Sequence, residues 1–434
     1  MMFKIIALIL FLMPVAGAFA DHSVPDIRYR TIVYFYPDAQ KIDVSSLKRA
    51  FNGFALVESL PKNATKPVFS YSVINDVAKN YPVPDLDYLA YFGRGLDKQQ
   101  ADKIQQSNLA VIIDVAYPQQ NMLNGLKSSS VSVFEFASNT HGLIWDSETR
   151  ELFTPAAWKE RRIDSWQDSW VHVQRHTVIH AYQSDKGVRA ITLGMAKFGL
   201  PDIVVNDFVW SQNRSMGNLI TLVAQSLVEG VPLSQDGYLE LNISRLTDSE
   251  YKQELLATLI DNADPKVNIQ VGEANWEEGD PDNYLIELLF NHADGTSVSE
   301  KQAALLSSLF GSEDQISYVK HNQEIEAASQ RAKKQLNSLR EAFNAGLKPG
   351  EFIQVKAPFA QPDGGNEWMW VEVLSWQGNE IKGLLKNEPY NIPDLKGGSE
   401  VVVNQQDIFD FIRLYPDGTS QGNETGALIM KYQQ

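Results

Sequence analysis

Three histidines at a constant spacing come nearest to a pattern that does chemistry. His172, His176 and His180 lie within WVHVQRHTVIHAYQ. On a helix, a spacing of four places neighbouring imidazoles on one face, near enough to share a zinc ion. The β-branched and aromatic neighbours favour a strand, in which successive histidine Cα atoms lie roughly 13 Å apart, too far for bonds of about 2 Å to one metal. We therefore predict a polar sheet face here, with zinc binding as the alternative.

An acidic loop offers oxygen ligands of the kind that calcium prefers. The segment GEANWEEGDPDN contains five carboxylates: Glu273, Glu277, Glu278, Asp280 and Asp282. Their spacing differs from that of an EF-hand loop, and runs of acidic residues are usually solvated turns. The sequence leaves both interpretations open, and we predict no metal and no other cofactor.

Polar and aromatic side chains among the C-terminal strands are candidate ligand contacts. The candidates are Glu367, Trp368, Trp370, Asn387 and Asp410. The alternative for the polar members is that they bond backbone amides in turns. Strand alternation in NEWMWVEVLSWQ puts Trp368, Trp370 and Trp376 on one side and Met369, Val371 and Val373 on the other. Either a preceding helix covers the indoles, or part of that side is a binding surface.

Nucleophilic catalysis has no support in the sequence. The chain has no cysteine, and it lacks Gly-x-Ser-x-Gly, His-Glu-x-x-His and the phosphate-binding Gly-x-x-x-x-Gly-Lys. Scattered acidic pairs are not informative without geometry. We therefore predict no catalytic residue and favour a protein that is not an enzyme.

The first twenty residues, MMFKIIALILFLMPVAGAFA, have the features of a signal peptide. Lys4 precedes a short apolar run, and Ala18-Phe19-Ala20 has the small-x-small form of a cleavage site. We expect cleavage after Ala20, a periplasmic or secreted product, and no membrane anchor afterwards. The formal net charge is −16 and no basic cluster stands out, which argues against nucleic acid as a partner.

The order of predicted elements indicates an α+β protein. Residues 31–116 read as strand, helix, strand, strand, helix, strand, the ferredoxin-like pattern. The same order recurs from Tyr238, with a capping box at Thr247 and Glu250 and a closing strand at 315–320. A helix and five short strands follow, which predict a small, open SH3-like barrel. The predicted division is 1–20 signal peptide, 21–232, 233–320 and 321–434.

Residues 321–428 resemble the YegJ-like domain, a bacterial family of unknown function. The resemblance lies in EIEAASQRAKKQLNSLREAF, FIQVKAPF, GGNEWMWVEV, IKGLLKNEP, LKGGSEVVV, DIFDF and DGTSQGNETG, in that order. Phe411 departs from the family pattern, which has Trp after the aspartate of DIFDF. Segment 189–205, RAITLGMAKFGLPDIVV, is similar to part of other uncharacterised bacterial domains. Neither resemblance implies an activity or a ligand.

Together these observations favour an exported, non-catalytic binding or interaction protein of the bacterial envelope. Its partner would be a protein or another envelope component. Two alternatives remain open: a hydrolase that acts on an envelope polymer through carboxylates, and an immunity-type protein whose negative charge suits a basic toxin.

Overall fold

The part of the chain that the structure describes has a mixed α/β fold with three large sheets and one two-stranded ribbon. The computed structural model describes residues 26–38, 42–167, 170–184, 186–260, 262–311, 323–362 and 364–433. The predicted signal peptide and the predicted closing strand at 315–320 lie outside these ranges. Within them, no helix combines the length and the apolar character that a membrane span needs.

The first sheet is built by the N-terminal third of the chain. Its strands are β1 (Asp26–Tyr34), β2 (Ala55–Leu56), β3 (Val68–Ile74), β4 (Gly93–Arg94), β5 (Ala110–Pro118), β6 (Leu143–Asp146) and β7 (Glu151–Phe153). Its helices are α1 (Val44–Ala50), α2 (Val77–Asn80), α3 (Leu86–Phe92), α4 (Lys98–Ile104), α5 (Met122–Thr140) and α6 (Pro155–Arg162). The strand order is β2-β3-β5-β1-β6-β7-β4.

The ferredoxin-like arrangement predicted for this region is not found. A split βαβ unit has one strand between its two parallel strands, whereas here both β3 and β5 separate β1 from β2. The physical reason is that β1 and β5 are long, largely buried strands that pair antiparallel over nine residues in the middle of the sheet. Because both faces of these two strands are covered, the strands lie in the middle of the sheet.

The second sheet combines strands from both sides of the predicted boundary at residue 232. After a ribbon of β8 (Trp166–Gln167) and β9 (Trp170–Val171), it contains β10 (Val178–Gln183), β11 (Val188–Leu193), β12 (Asp202–Phe208), β13 (Tyr238–Asn242), β14 (Lys266–Glu273) and β15 (Leu285–Leu289). The order is β10-β11-β12-β15-β14-β13. Its helices are α7 (Asn213–Val228), α8 (Ser249–Leu256) and α9 (Val298–Phe310). One buried apolar cluster runs through the first and second sheets.

The second predicted ferredoxin-like unit is not found either. Strands β13 and β14, which α8 connects, are adjacent and antiparallel, whereas a βαβ crossover joins parallel strands. Strand β14 therefore begins at the same end of the sheet at which β13 finishes, and α8 does not cross to the opposite end. The helix also begins differently from the prediction, because Asp248 and not Thr247 is its N-cap and accepts from the Glu250 and Tyr251 amides.

The third sheet forms a separate C-terminal unit with its own core. It contains β16 (Phe352–Ala360), β17 (Asn366–Gln377), β18 (Glu380–Leu385), β19 (Glu400–Asn404), β20 (Asp410–Leu414) and β21 (Ser420–Gly422), with α10 (Gln323–Asn344) and α11 (Glu424–Gln433). The order β19-β18-β17-β16-β20-β21 leaves β19 and β21 as edges of the sheet among the described residues. The predicted barrel is therefore not closed.

A bulge in β17 changes the predicted alternation of its side chains. Up to Val373 the prediction holds, with Met369 and Val371 buried and Trp370 half-buried. The pairing with β18 shifts between Val373 and Ser375, so Trp376 turns into the core. A bulge adds one residue to a strand and so reverses the face that later residues occupy. Leu336 and Leu339 of α10 belong to the same buried cluster as Trp376.

Candidate interdomain binding site

The C-terminal unit meets the rest of the protein through a buried polar contact. The Ser211 amide, one residue before the N-cap of α7, donates to Glu372 Oε1 at 3.3 Å, and the Ser211 hydroxyl bonds Glu372 Oε2. Lys386 Nζ lies 2.5 Å from Ser211 Oγ and 3.5 Å from Glu372 Oε2. Glu372 is only 3% exposed. The carboxylate of one unit thus lies at the start of a helix of the other, where the Ser211 amide and the Lys386 ammonium offset its charge.

An apolar cleft of about 300 Å³ lies on one side of this contact. Its apolar lining consists of Val188, Phe208, Val209, Trp210, Phe343, Leu347, Pro349, Phe352, Val373 and Leu374. Both units contribute, since β12 and the turn after it form one wall and α10 and β17 form the other. The Trp210 indole donates to Gln183 Oε1 at 3.0 Å, which fixes its orientation. A cleft with this lining has the apolar character of a ligand site for an apolar group.

A polar cleft of about 380 Å³ lies on the other side. Its polar side chains are Ser211, Gln212, Ser215, Ser307, Lys386 and Glu388. Lys386 and Ser211 belong to this wall, and Glu372 belongs to the wall of the apolar cleft, so the Ser211–Glu372 contact separates the two clefts. The polar cleft offers hydrogen-bond donors and acceptors close together.

A second contact between the units borders the polar cleft. Ser299 Oγ donates to the Gly398 carbonyl at 2.9 Å, and Ser399 Oγ donates to Glu300 Oε1 at 2.9 Å. A Cβ on Gly398 would lie 2.8 Å from the Ser299 carbonyl oxygen, and its φ is +84°. Glycine is therefore required for the close approach of this loop to α9.

The three polar residues predicted to bind a ligand hold turns. Glu367 accepts from the Tyr390 amide at 2.8 Å, and Asn387 Oδ1 accepts from the Trp370 amide at 2.7 Å. Asp410 accepts from the Thr425 amide at 2.9 Å. This arrangement corresponds to the turn-holding alternative, while ligand binding by these residues stays a prediction.

The two predicted aromatic contacts are half-buried within the C-terminal unit. The Trp368 ring lies 4.8 Å from that of Phe409, and Lys356 Nζ lies 5.6 Å from the centre of the Trp370 ring. None of the five predicted binding residues lines either interdomain cleft. The sequence signal for the contact beside the clefts was Glu372, a carboxylate between two valines in the middle of a strand.

The three histidines do not form one cluster. A 3₁₀ turn at Val173–Arg175 interrupts the predicted strand, so that His172 and His176 precede β10 and His180 lies within it. His172 Nδ1 lies 3.6 Å from Asp248 Oδ2, His176 is fully buried, and His180 stacks on Phe92 at 4.9 Å. The part of the chain that the structure describes contains no group of three His, Asp or Glu residues able to hold a metal ion.

The buried carboxylate of the acidic loop, Asp280, accepts hydrogen bonds from groups of the protein itself. Asp280 Oδ2 accepts from Arg189 at 2.7 Å and from the Glu277 amide at 2.8 Å. Tyr182 donates to Glu277 at 3.1 Å. These contacts pair two of the five carboxylates within the fold, which leaves the loop with fewer oxygens for a cation.

Several ionisable side chains form a buried charge cluster outside the clefts. Asp146 accepts from Arg162 at 3.0 Å and from Lys197 at 2.6 Å, and Arg162 also donates to Glu151 at 3.1 Å. Burial raises the pKa of Asp146, but Lys197 and Arg162 outweigh burial and hold that pKa at about 2. The cluster lines neither interdomain cleft, and its charges are paired with one another. Its geometry is that of a structural contact.

Comparison with known proteins identifies one part of the chain. Residues 322–431 match the model of a family described as "Uncharacterized protein conserved in bacteria (DUF2314)". The match covers about a quarter of the chain and coincides with the C-terminal unit from α10 to α11. No curated protein and no solved structure matches the chain.

Proposed function

We propose that this is an exported, non-catalytic binding protein of the bacterial envelope, whose ligand places an apolar group in the apolar cleft. The observation that carries the proposal is the apolar lining contributed by both units around a cleft of about 300 Å³. Clefts between domains are preferred sites for ligands because two surfaces enclose the bound group. Two carboxylates of the described residues lie in the wall, and both are engaged: Glu372 by Ser211 and Lys386, and Glu351 by Arg413 and the Lys348 amide. Both are therefore poorly placed to act as a general base.

Export is part of this proposal and rests on residues 1–20. The positive start, the apolar run and the Ala18-Phe19-Ala20 site support cleavage after Ala20. The C-terminal unit is proposed to be a YegJ-like domain on the motif order of residues 321–428. Intact-mass measurement of the protein from a periplasmic fraction tests export. A mature chain that begins at Asp21 is the expected result, and a full-length chain in the cytoplasm contradicts it.

The binding proposal is tested with the neutral fluorescent probe N-phenyl-1-naphthylamine. Leu374 is 41% exposed at the cleft, so Leu374→Arg is compatible with folding and places a charge where the apolar group must lie. The probe is expected to bind the wild type and to lose at least about tenfold in affinity in this variant, since desolvating a charge opposes binding. Val402→Arg is the matched control, because Val402 is an exposed residue of β19 outside both clefts. Equal binding by wild type and Leu374→Arg contradicts the proposal.

A further inference from the structure

The lining of the apolar cleft indicates the chemical class of its ligand. We infer that the ligand is a small aromatic acid, whose ring lies between the two units and whose anionic group meets the ammonium of Lys348. This inference rests on the proposed function and adds the ligand class to it. The aromatic rings and the charges of the apolar cleft carry the assignment, and the polar cleft has no part in it.

Four aromatic rings lie in the lining of the apolar cleft, two from each unit. Phe208 and Trp210 belong to the end of β12 and the turn after it, whereas Phe343 and Phe352 belong to α10 and β16. Phe208 is buried, and the other three rings are half-buried, so they keep accessible surface. Rings on both walls can hold a flat aromatic group by stacking or edge contacts, which add to the gain from burial alone.

The three half-buried rings are free to pair with a ring of a ligand. None of them has a ring contact with another aromatic residue among those that the structure describes. The Trp210 indole is already oriented by its hydrogen bond to Gln183 Oε1, so a ligand does not have to order it. The volume of about 300 Å³ is at the lower end of the range for small-molecule sites, which suits one compact ring system.

The charged side chains around the apolar cleft leave one cation without a partner. Glu372 is offset by Lys386, and Glu351 is offset by Arg413 at 2.6 Å. Lys348 is an exposed residue of the same lining, and its ammonium forms no ion pair with any residue that the structure describes. These groups together therefore leave one positive charge at the cleft, which an anionic group of the ligand complements.

The loop between α10 and β16 fixes the position of Lys348 at the cleft. The Lys348 amide donates to Glu351 Oε2 at 3.0 Å, and the Lys348 carbonyl accepts from the Glu351 amide at 2.9 Å. These bonds hold the main chain and leave the side chain of Lys348 unbonded among the described residues. Its flexible four-carbon stem lets the ammonium reach an anionic group at the mouth of the cleft.

Negative charges elsewhere in the protein act only weakly on this ammonium. Hydrogen bonds from Thr419 are the main cause that lowers the pKa of the exposed Asp417, and the charge of Lys348 adds only a small effect. The formal net charge of −16 is spread over the whole chain, and exposed charges more than about 8 Å apart are largely screened at physiological ionic strength. A direct contact with Lys348 therefore outweighs these carboxylates.

The experiment measures how three small ligands displace N-phenyl-1-naphthylamine from the full chain. Naphthalene-1-acetate has the aromatic ring and the charge. Naphthalene-1-acetamide has the same ring without the charge, and decahydronaphthalene-1-acetate has the charge on a saturated ring system. Naphthalene-1-acetate should bind the wild type at least about threefold more tightly than either of the others, because it alone uses both the rings and Lys348.

Two variants separate the contribution of the charge from that of the rings. Lys348→Gln should weaken binding of naphthalene-1-acetate at least about threefold and leave binding of the acetamide unchanged. Phe343→Leu keeps an apolar side chain but removes one ring, so it should reduce the preference for the aromatic acid over the saturated acid. Lys334→Gln alters an exposed lysine of α10 outside both clefts, is the matched control and should bind all three ligands as the wild type does.

Four outcomes overturn the inference while the proposed function stands. In the wild type, they are equal affinity for the acetate and the acetamide, binding of the saturated acid as tight as that of the aromatic acid, and failure of all three ligands to displace the naphthylamine. The fourth is an unchanged preference for the acetate over the acetamide in Lys348→Gln. If the naphthylamine itself does not bind the wild type, the proposed function fails first, and the ligand class fails with it.

Discussion

At the scale of single residues, the charged groups of the protein have two different roles. Asp146, Arg162 and Lys197 form pairs that are almost completely buried between the first and second sheets. The Glu372–Lys386 pair lies between units and beside two clefts. Removing one partner of a buried pair leaves an uncompensated charge, which costs more than the pair itself contributes.

Lys197→Met therefore tests the buried cluster. The change removes one of the two cations that contact Asp146 and leaves Arg162 to offset that carboxylate as well as part of the charge of Glu151, which Arg94 also contacts. We expect the free energy of unfolding to fall by about 3–5 kcal/mol. Urea unfolding followed by circular dichroism measures it. In the control Lys159→Met, which breaks an exposed pair with Asp164, the loss should stay under about 1 kcal/mol. A Lys197→Met variant as stable as the wild type contradicts the prediction.

Buried groups act on the pH dependence of stability in opposite directions. Burial lowers the pKa of His176 and His180, so their contribution is lost as the pH falls below 6.5. Burial and the charge of Asp146 raise the pKa of Glu148 from 4.5 to about 7, and burial raises the pKa of Asp202 from 3.8 to about 6. Groups with a raised pKa bind protons more tightly in the folded state, so their contribution is full below the unfolded pKa and lost as pH rises through the folded one. For Asp146, with its pKa lowered to about 2, the contribution is lost as pH falls from 3.8 through about 2.

Urea unfolding between pH 3 and pH 8 tests this dependence. Glu148→Gln removes the titration of one side chain and leaves His176, His180, Asp202 and Asp146 in place. The stability of the wild type relative to this variant should therefore increase as the pH falls from about 7 to about 4.5 and stay constant below that. A difference between the two proteins that does not change between pH 7 and pH 4.5 contradicts the prediction.

At the scale of elements, the sequence predicted most strands but not one long helix. Helix α5 spans 19 residues, and its buried side includes Ser129, Ser130 and Ser132. Ser129 Oγ donates to the Gly125 carbonyl at 2.6 Å and Ser132 Oγ to the Ser128 carbonyl at 3.0 Å. Serines that bond carbonyls of their own helix can be buried with their hydroxyls satisfied. They interrupt the apolar stripe by which a helix is recognised in a sequence.

In strand β17, the alternation of side chains fails to predict which tryptophan is buried. Strict alternation places Trp370 and Trp376 on the same side, but the bulge puts Trp376 into the core and leaves Trp370 half-buried. Trp376→Ala should lower the free energy of unfolding by about 3–5 kcal/mol, the usual cost of emptying a buried aromatic site. Trp370→Ala should cost clearly less, since less of its surface is removed from water. Equal losses in urea unfolding would contradict the role of the bulge.

At the scale of the whole molecule, the sequence predicted the kinds of elements but not their neighbours. The predicted order of strands and helices from residue 31 to residue 116 contains β1, β3 and β5, yet their positions in the sheet follow from pairing of the longest buried strands. The interdomain clefts were equally out of reach, because Ser211 and Glu372 are far apart in the sequence and meet only after both units have folded. Local patterns predict local structure, whereas contacts between units depend on tertiary packing.

The docking of the two units should depend on Glu372. Its carboxylate bonds the Ser211 amide before α7 and faces Lys386, while the apolar core of the C-terminal unit is separate from that of the first two sheets. Glu372→Leu removes the carboxylate, so that the Lys386 ammonium and the Ser211 amide lose their partner. We expect both units to stay folded and the contact between them to weaken.

Hydrogen exchange of the amides in 210–215 measures this contact directly. In Glu372→Leu these amides should exchange at least about tenfold faster than in the wild type, whereas amides in β5 and β16 should not change. Glu372→Gln keeps a hydrogen-bond acceptor but not the charge. The exchange rates in this variant should lie between those of the wild type and those of Glu372→Leu. Glu380→Gln alters an exposed carboxylate of β18 and should match the wild type. If Glu372→Leu exchanges at the wild-type rate, the other contacts between the units, which include apolar packing along the cleft and the hydrogen bonds of Ser299 and Ser399, are sufficient, and the carboxylate is not required for docking.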